Sequence, residues 1–153
     1  MSNDALLSAF VETYFTTIKN FNDLISAPMA EYKLSFEQYQ ILHDVAENEA
    51  ISLTDIVNKR HVTKPAIARQ IRVLRDLDYL RQEQSNLDRR RFLLHLTPLG
   101  VRVEHNVTEA ARMQFNRWLT VLGHDKAEQL LSLLNEVGEK LINTDSKGES
   151  PQA

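Results

Sequence analysis

Residues 53–80, LTDIVNKRHVTKPAIARQIRVLRDLDYL, decide the fold that this sequence predicts. The first third predicts a short helix that stops near Lys59, because apolar residues recur at the i, i+3 and i+4 spacing. Thr63 is a suitable N-cap for a second helix, and Pro65 falls in its first turn, where a missing N–H is tolerated. The buried stripe of this second helix, which ends near Asp78, consists of Ile67, Ile71 and Leu74. A short helix followed at once by a basic one is typical of a helix-turn-helix.

A β-hairpin is predicted directly after this pair of helices. Residues 79–84 and 92–96 are short extended runs on either side of a polar, charged turn at residues 85–91. Residues 50–53 form a segment too brief for a helix, and it could pair with the hairpin as an edge strand.

Further helices are predicted on both sides of this centre. Ser35 and Gln38 form a capping-box pattern that opens a helix to about Glu47. Thr97 and Pro98 repeat the pattern of a cap followed by proline and open a long helix. Helices are also predicted at residues 4–25, before this centre, and at residues 98–122 and 125–142, after it. The polar tail 143–153 is expected to be disordered.

The predicted fold is therefore mainly α: a winged helix-turn-helix with a small β-hairpin wing, flanked by N- and C-terminal helices. The helix at 4–25 carries two adjacent apolar stripes, which indicate burial on two sides, either in a deep core or against a partner subunit. Apolar residues also recur along the last two helices. We interpret these terminal helices, 4–25 and 98–142, as dimerisation helices around a DNA-binding lobe at 35–97, all within one domain at 1–142.

Composition excludes several classes of protein. The chain has 153 residues, of which 42% are hydrophobic, and a length of this order suits one ordinary domain. It contains no cysteine, which excludes disulfide scaffolds, thiol nucleophiles and cysteine-based redox sensing. We find no glycine-rich phosphate loop and no G-x-S-x-G or H-E-x-x-H pattern, so the sequence does not predict an enzyme. The absence of a signal-peptide pattern or a long apolar window predicts a cytoplasmic protein that does not enter a membrane.

The charges are unevenly distributed along the chain. Although the net charge is −3, residues 59–91 carry ten basic and four acidic side chains, a net +6. The rest of the chain holds eight basic and 17 acidic residues, a net −9. A basic segment inside an acidic body is expected where one surface meets a polyanion, and a solvated helix face is the alternative.

The second helix of the helix-turn-helix offers residues for the major groove of DNA. With its apolar stripe inward, its small residues permit close approach to thymine methyls, and its arginines can donate to guanine. A surface ion pair of Arg69 or Arg72 with Asp76 is the alternative. The predicted contact residues are Thr63, Lys64, Pro65, Ala66, Ala68, Arg69 and Arg72.

The turn of the hairpin concentrates charge at an exposed tip. Asp88 precedes Arg89, Arg90 and Arg91, and we expect its carboxylate to orient one arginine through a charge-assisted hydrogen bond. Arginines at such a tip suit a narrow minor groove, where the negative potential is enhanced. An ordinary charged turn is the alternative.

These stretches resemble the MarR family of bacterial transcriptional regulators. Residues 53–80 resemble its helix-turn-helix. DRRRFLLHLTPLG, residues 88–100, resembles the family's wing signature, which runs from Asp-x-Arg through Leu-Thr-x-x-Gly. The signature is matched at Asp88, Arg90, Leu96, Thr97 and Gly100. The resemblance extends over residues 4–142, and the chain departs from it at Arg60 and His61, where the family commonly has an apolar residue and glycine.

The resemblance implies a homodimer on a pseudo-palindromic DNA operator, most simply a repressor. It also implies that Arg90 probes the minor groove while Asp88 steadies it. A phenolic or carboxylated small molecule would weaken DNA binding from a pocket between the dimer helices and the DNA-binding lobe. The residues on the helices that the family uses for this pocket are Tyr14, Tyr39, His43 and His105.

The histidines suggest no metal site or cofactor. His43 with Asp44, or His105 with Glu104 or Glu109, could contribute to a site between two helices, but packed or solvated histidines are the simpler interpretation. The function predicted is sequence-specific binding of double-stranded DNA. The alternative is a helical interaction protein whose basic wing binds an acidic protein partner.

Overall fold

A computed structural model describes residues 1–142 of the chain. The chain forms two compact units, residues 1–111 and residues 112–153, and the second is described as far as residue 142. The tail predicted to be disordered, 143–153, lies outside the described residues. The assignment of 1–142 to a single domain stays a prediction.

The N-terminal part of the chain is helical almost throughout, as predicted for residues 4–25. Helix α1 spans Asn3–Thr13 and continues through a π-helical turn, Tyr14–Ile18, into α2 at Lys19–Ser26. The α-helix ends at Ser26, and Pro28 lies in the first turn of a 3-10 helix, Ala27–Tyr32, where its missing N–H is tolerated. No side chain of α1 is buried.

Three helices form the centre of the first unit. Helix α3 spans Phe36–Ala46 and begins with the predicted capping box, in which the amide of Gln38 donates to Ser35 Oγ at 3.1 Å. Helix α4 spans Leu53–Arg60 and α5 spans Lys64–Asp76. The helix-turn-helix is therefore confirmed.

A small antiparallel sheet completes the wing. Strand β1, Ile51–Ser52, and strand β2, Leu80–Gln84, pair on either side of β3, Phe92–Leu96. Ile51 lies opposite Leu94, which confirms the edge strand as well as the hairpin.

The core of the first unit lies where α3, α4, α5 and the sheet meet. The predicted stripe of α5 is buried, and each of its three side chains is at most 6% exposed. Each of these elements, and the first half of the long helix that follows the sheet, contributes side chains that are at most 2% exposed. Examples are Ile41, Leu42, Ile56, Leu74, Leu94 and Val107.

A tight joint connects α5, the sheet and α6, which spans Pro98–Leu122. The Thr97 hydroxyl donates to the carbonyl of Asp78 at 2.5 Å and accepts from the amide of Gly100 at 2.9 Å. A Cβ at Gly100 would lie 2.0 Å from the carbonyl oxygen of Tyr79. The threonine and glycine of the Leu-Thr-x-x-Gly signature are therefore required by close backbone approach at this joint.

The described part of the chain ends in helices, as predicted. Gly123, with φ of 88°, separates α6 from α7, which spans His124–Val137 and continues as a π-helical turn to Ile142. No side chain of α7 is buried. None of the helices formed by residues 1–142 combines the length and apolar character that crossing a bilayer requires.

Candidate nucleic-acid interface

Helix α5 presents its polar side away from the core. Thr63 caps it, since the amide of Ala66 donates to Thr63 Oγ1 at 3.4 Å, and Pro65 occupies the first turn. Because the apolar stripe is buried, the opposite side of the helix is available to a ligand. We call this the outer face of α5, and it comprises Lys64, Pro65, Ala68, Arg69 and Arg72. All of these are exposed except Ala68, which is half-buried, and the neighbouring Thr63 and Ala66 are exposed too.

The arginines of the outer face are available for a polyanion. Neither Arg69 nor Arg72 forms an ion pair with any residue in 1–142, so the alternative partner, Asp76, does not hold them. By contrast, the guanidinium of Arg75 donates to Gln82 Oε1 at 2.8 Å. The outer face therefore carries cations without a protein partner in the described part of the chain.

Part of the basic segment does not contribute to this surface. Asp44 is 2% exposed and accepts from Lys59 Nζ at 2.5 Å and from Arg60 Nε at 2.9 Å. These two cations neutralise a buried carboxylate on α3 and fix the C-terminal end of α4. The count of ten basic residues therefore overstated the charge available to a polyanion. A lone aspartate at this position of α3 gave no sequence signal for the pairing.

The turn between α4 and α5 uses a residue that departs from the family pattern. His61 adopts φ of 53° and ψ of 38°, the left-handed conformation that glycine adopts most easily. Histidine is one of the side chains that tolerate this region better than most. The turn therefore keeps its geometry with histidine in place of the usual glycine.

The wing loop, residues 85–91, is held by its own hydrogen bonds. Ser85 Oγ accepts from the amides of Leu87 and Asp88 at 3.2 and 3.3 Å. Asp88 Oδ1 accepts from the backbone amide of Arg90 at 2.9 Å. Asp88 therefore contacts Arg90 through the backbone amide and shapes the wing loop in the described residues, while its role in orienting the Arg90 side chain stays a prediction.

The three arginines of the wing loop differ in their surroundings. Arg89 and Arg90 are exposed, and their guanidinium groups form no ion pair within residues 1–142. Arg91 is paired with Asp55, in the first turn of α4. The pKa of Asp55 lies below its usual range, because the amide of Ser52 hydrogen-bonds to the carboxylate. Hydrogen bonds from the Ser52 side chain and Arg91 lower this pKa further, against the opposing effect of partial burial.

Sequence reasoning missed the role of Asp55. Ser52 and Asp55 have the three-residue spacing of a capping box, which the structure shows complete at the start of α4. That spacing could have located the carboxylate, but not the arginine that reaches it from 36 positions along the chain. A cleft of about 400 Å³ lies beside this pair, and Lys64 and Arg90 also line it.

The residues proposed for a small-molecule pocket are only partly brought together. Tyr39 and His43 stack on α3 with ring centroids 5.9 Å apart. His43 Nδ1 lies 2.8 Å from Glu104 Oε1, which also accepts from Thr108 Oγ1 at 2.8 Å. The Tyr39 hydroxyl lies 2.8 Å from Thr108 Oγ1, so this oxygen completes a chain of four polar side chains between α3 and α6.

Tyr14 and His105 lie apart from that chain. Tyr14 lines a shallow apolar groove together with other side chains of the N-terminal helices, and His105 is exposed on α6. Within residues 1–142 no hydrogen bond or ring contact joins either of them to Tyr39 or His43. In the same range no three histidine or carboxylate side chains are grouped as metal ligands.

A family model described as "MarR family" matches residues 32–91. The chain is similar to an uncharacterised HTH-type transcriptional regulator of Staphylococcus aureus, with 22% identity over 143 residues, 90% of this chain and 95% of that protein. The comparison thus covers almost the full length of both proteins.

Two solved structures share the fold. Staphylococcus aureus MarR in complex with salicylate and kanamycin matches with a TM-score of 0.71 and 21% identity, over 91% of this chain and 94% of that one. The transcriptional repressor CouR, bound to a 23-mer DNA duplex, matches with a TM-score of 0.69 and 20% identity, over 90% and 92%.

Proposed function

We propose that this chain, in which residues 32–91 match the MarR family of transcriptional regulators, is a homodimeric repressor of a pseudo-palindromic operator. The outer face of α5 would enter the major groove, and the wing loop would contact the neighbouring minor groove. The contact residues proposed are those predicted from the sequence on the helix, Thr63 to Ala66, Ala68, Arg69 and Arg72, and Asp88, Arg89 and Arg90 in the wing. Arg91, which was predicted with them, is paired with Asp55. Such a protein acts where the DNA is, in the cytoplasm.

One observation carries this proposal: the outer face of α5 holds exposed arginines without an ion-pair partner in residues 1–142. An acid three or four positions away on a helix can pair with an arginine, but Asp76 does not pair with Arg72. Arginine donates to both acceptors of guanine in the major groove, which favours one base pair over the others.

The proposed dimer rests on apolar side chains at both ends of the chain. Leu6, Phe10 and Phe15, at the N-terminal end, are each more than half exposed. Leu131, Leu133 and Leu141, at the other end, are each about 60% exposed. Monomeric proteins seldom leave contiguous apolar surface of this kind in water. A second copy of the chain would cover both sets.

The proposed effector is a phenolic or carboxylated compound. A carboxylate could accept from a ring N–H of His43, and an aromatic ring could pack against Tyr39, which would disturb the polar chain between α3 and α6. Tyr14 and His105 would take part only if a second subunit brings them near Tyr39 and His43. Salicylate, the ligand in the S. aureus MarR structure, is a suitable first probe.

The test of the function is selection of bound sequences from a pool of random DNA duplexes by the full-length protein. We expect a motif with two-fold symmetry, and light scattering should give twice the 17.6 kDa of one chain. Addition of salicylate to the complex should lower the affinity for the selected duplex. A pool that shows no enrichment, or a stable monomer at micromolar concentration, would contradict the proposal.

A further inference from the structure

Arg91 connects the end of the wing loop to the first turn of α4. Its Nη2 nitrogen donates to Oδ2 of Asp55. The same oxygen accepts from the backbone amide of Ser52 at 2.7 Å and from the Ser52 hydroxyl at 2.8 Å. Three donors therefore converge on one carboxylate oxygen, which holds the carboxylate in place for the guanidinium.

The backbone of Arg91 is fixed within the wing loop at the same time. Its amide donates to the carbonyl of Asp88 at 2.9 Å, and its carbonyl accepts from the amide of Ser85 at 2.8 Å. Because the side chain is tied to α4 and the backbone is tied to the loop, a movement of the loop away from α4 beyond the reach of the arginine side chain breaks the Arg91–Asp55 pair or the turn.

The α4 side of this connection is rigid. Ile56, next to Asp55, is fully buried, and Asp44 holds the other end of the helix through Lys59 and Arg60. The sheet restrains the wing loop only at its two ends, where Gln84 pairs with Phe92. Within residues 1–142 no other hydrogen bond or ion pair joins the wing loop to α4 or α5.

We propose that Arg91 and Asp55 form a latch that holds the wing loop at a fixed position relative to α5, so that Arg90 and the outer face of α5 meet DNA together. Arg91 is then a positioning residue and not the DNA contact that its place in the Asp-Arg-Arg-Arg run suggested. This inference rests on the proposed function, because it concerns how two parts of one DNA-binding surface are kept in register.

The energetics agree with a role in positioning. The side chains of Arg91 and Asp55 are 44% and 40% exposed, and ion pairs so accessible to water add little to the stability of a fold. Holding a loop in its bound conformation nevertheless strengthens binding, because the loop need not be ordered when the complex forms. The latch should therefore affect DNA affinity far more than it affects unfolding.

The direction in which one substitution changes DNA affinity distinguishes the latch from the alternative, in which Asp55 only keeps Arg91 away from DNA. Asp55→Asn removes a negative charge near the DNA, which by electrostatics alone strengthens binding. If Asp55 merely withholds Arg91 from a phosphate, Asp55→Asn tightens binding to every duplex. If the pair is a latch, the same substitution weakens binding to the selected operator in spite of the more favourable charge.

The experiment uses the full-length protein, the duplex recovered by selection and a scrambled duplex of the same composition. Asp55→Asn and Arg91→Gln should each weaken operator binding about threefold to tenfold and leave scrambled-duplex binding less affected, as expected for loss of preorganisation. The double variant should bind the operator no more weakly than either single variant, because both substitutions remove the same contact. The control is Asp76→Asn, which removes an exposed carboxylate of α5 without touching the latch and should tighten binding to both duplexes.

The salt dependence gives a second, independent readout. Arg91→Gln should leave the slope of log affinity against log salt unchanged, whereas loss of a phosphate contact lowers it by about 0.9 per contact. Circular dichroism checks that Asp55→Asn retains α4, since asparagine can still accept from Ser52. Tighter binding by Asp55→Asn, a lower slope for Arg91→Gln, or unchanged operator affinity in both would overturn the latch. A wild-type protein that prefers no sequence would overturn the proposed function, and the latch with it.

Discussion

Helix α5 and the wing loop present their arginines in two different ways. The position of Arg69 and Arg72 follows from a regular helix whose opposite stripe is buried in the core. The position of Arg89 and Arg90 follows from hydrogen bonds between loop residues, several of which involve a side chain and a backbone amide. A helix spreads its support over many contacts, whereas a loop depends on a few. A single substitution in the wing loop should therefore disturb the conformation of that loop. A single substitution on α5 should leave the helix in place and affect DNA binding only where it removes a contact residue.

The joint at Gly100, which carries both regions, should show the largest effect on the fold. Gly100→Ala places a Cβ 2.0 Å from the Tyr79 carbonyl oxygen, so the backbone must move and the unfolding free energy should fall by about 3 kcal/mol. Thermal or chemical denaturation measures this loss. Gly138→Ala is the matched control: nothing lies within 4 Å of its Cβ position, its φ is −58°, and we expect slight stabilisation. Equal stability of the two variants would contradict the close approach described here.

A smaller effect, confined to DNA binding, is expected at the wing tip. Arg90→Ala should lower operator affinity by at least about tenfold, since a charge-assisted hydrogen bond contributes about 1.5–3 kcal/mol, while the fold and dimer stay intact. Titration by fluorescence anisotropy at several salt concentrations distinguishes its mode of contact. An unchanged slope indicates base atoms in the groove, and a fall of nearly two across a dimer indicates phosphates. Unaltered affinity at every salt concentration would mean that the wing does not touch DNA.

The smallest effect is expected in the turn between α4 and α5. His61→Gly should stabilise the protein by less than about 1 kcal/mol, because relief of the left-handed conformation is partly offset by the greater freedom of glycine in the unfolded chain. His61→Ala keeps the strain and should give no stabilisation. Urea denaturation with an unchanged m-value measures both, and a His61→Gly variant no more stable than His61→Ala would refute the strain.

The regular elements could be predicted from the sequence, because their signals are local. The capping box at Ser35, the cap at Thr63 and the buried stripe of α5 each depend on residues within one or two turns. The hairpin followed from two extended runs around a charged turn. All of these were confirmed.

The parts that could not be predicted depend on residues distant in the chain. Arg91 meets Asp55, and Lys59 and Arg60 meet Asp44, across separations of 15 to 36 positions. Neither pairing follows a periodic pattern in the sequence, so the count of basic residues included these three cations in the charge available to a polyanion. The atom of Arg90 that Asp88 contacts could not be predicted either, since spacing alone does not distinguish a bond to a guanidinium from one to a backbone amide.

The claim that α5 recognises the sequence while the wing adds affinity is tested most directly by repeating the selection from random duplexes with two variants. We predict that the double variant Arg69→Ala/Arg72→Ala loses sequence preference at the positions under α5, because the lost contacts are to base edges. Arg90→Ala should recover the wild-type motif at those positions, with weaker binding overall. Recovery of the full wild-type motif by the α5 double variant, or the same loss of preference in both variants, would contradict the assignment of sequence recognition to the outer face of α5.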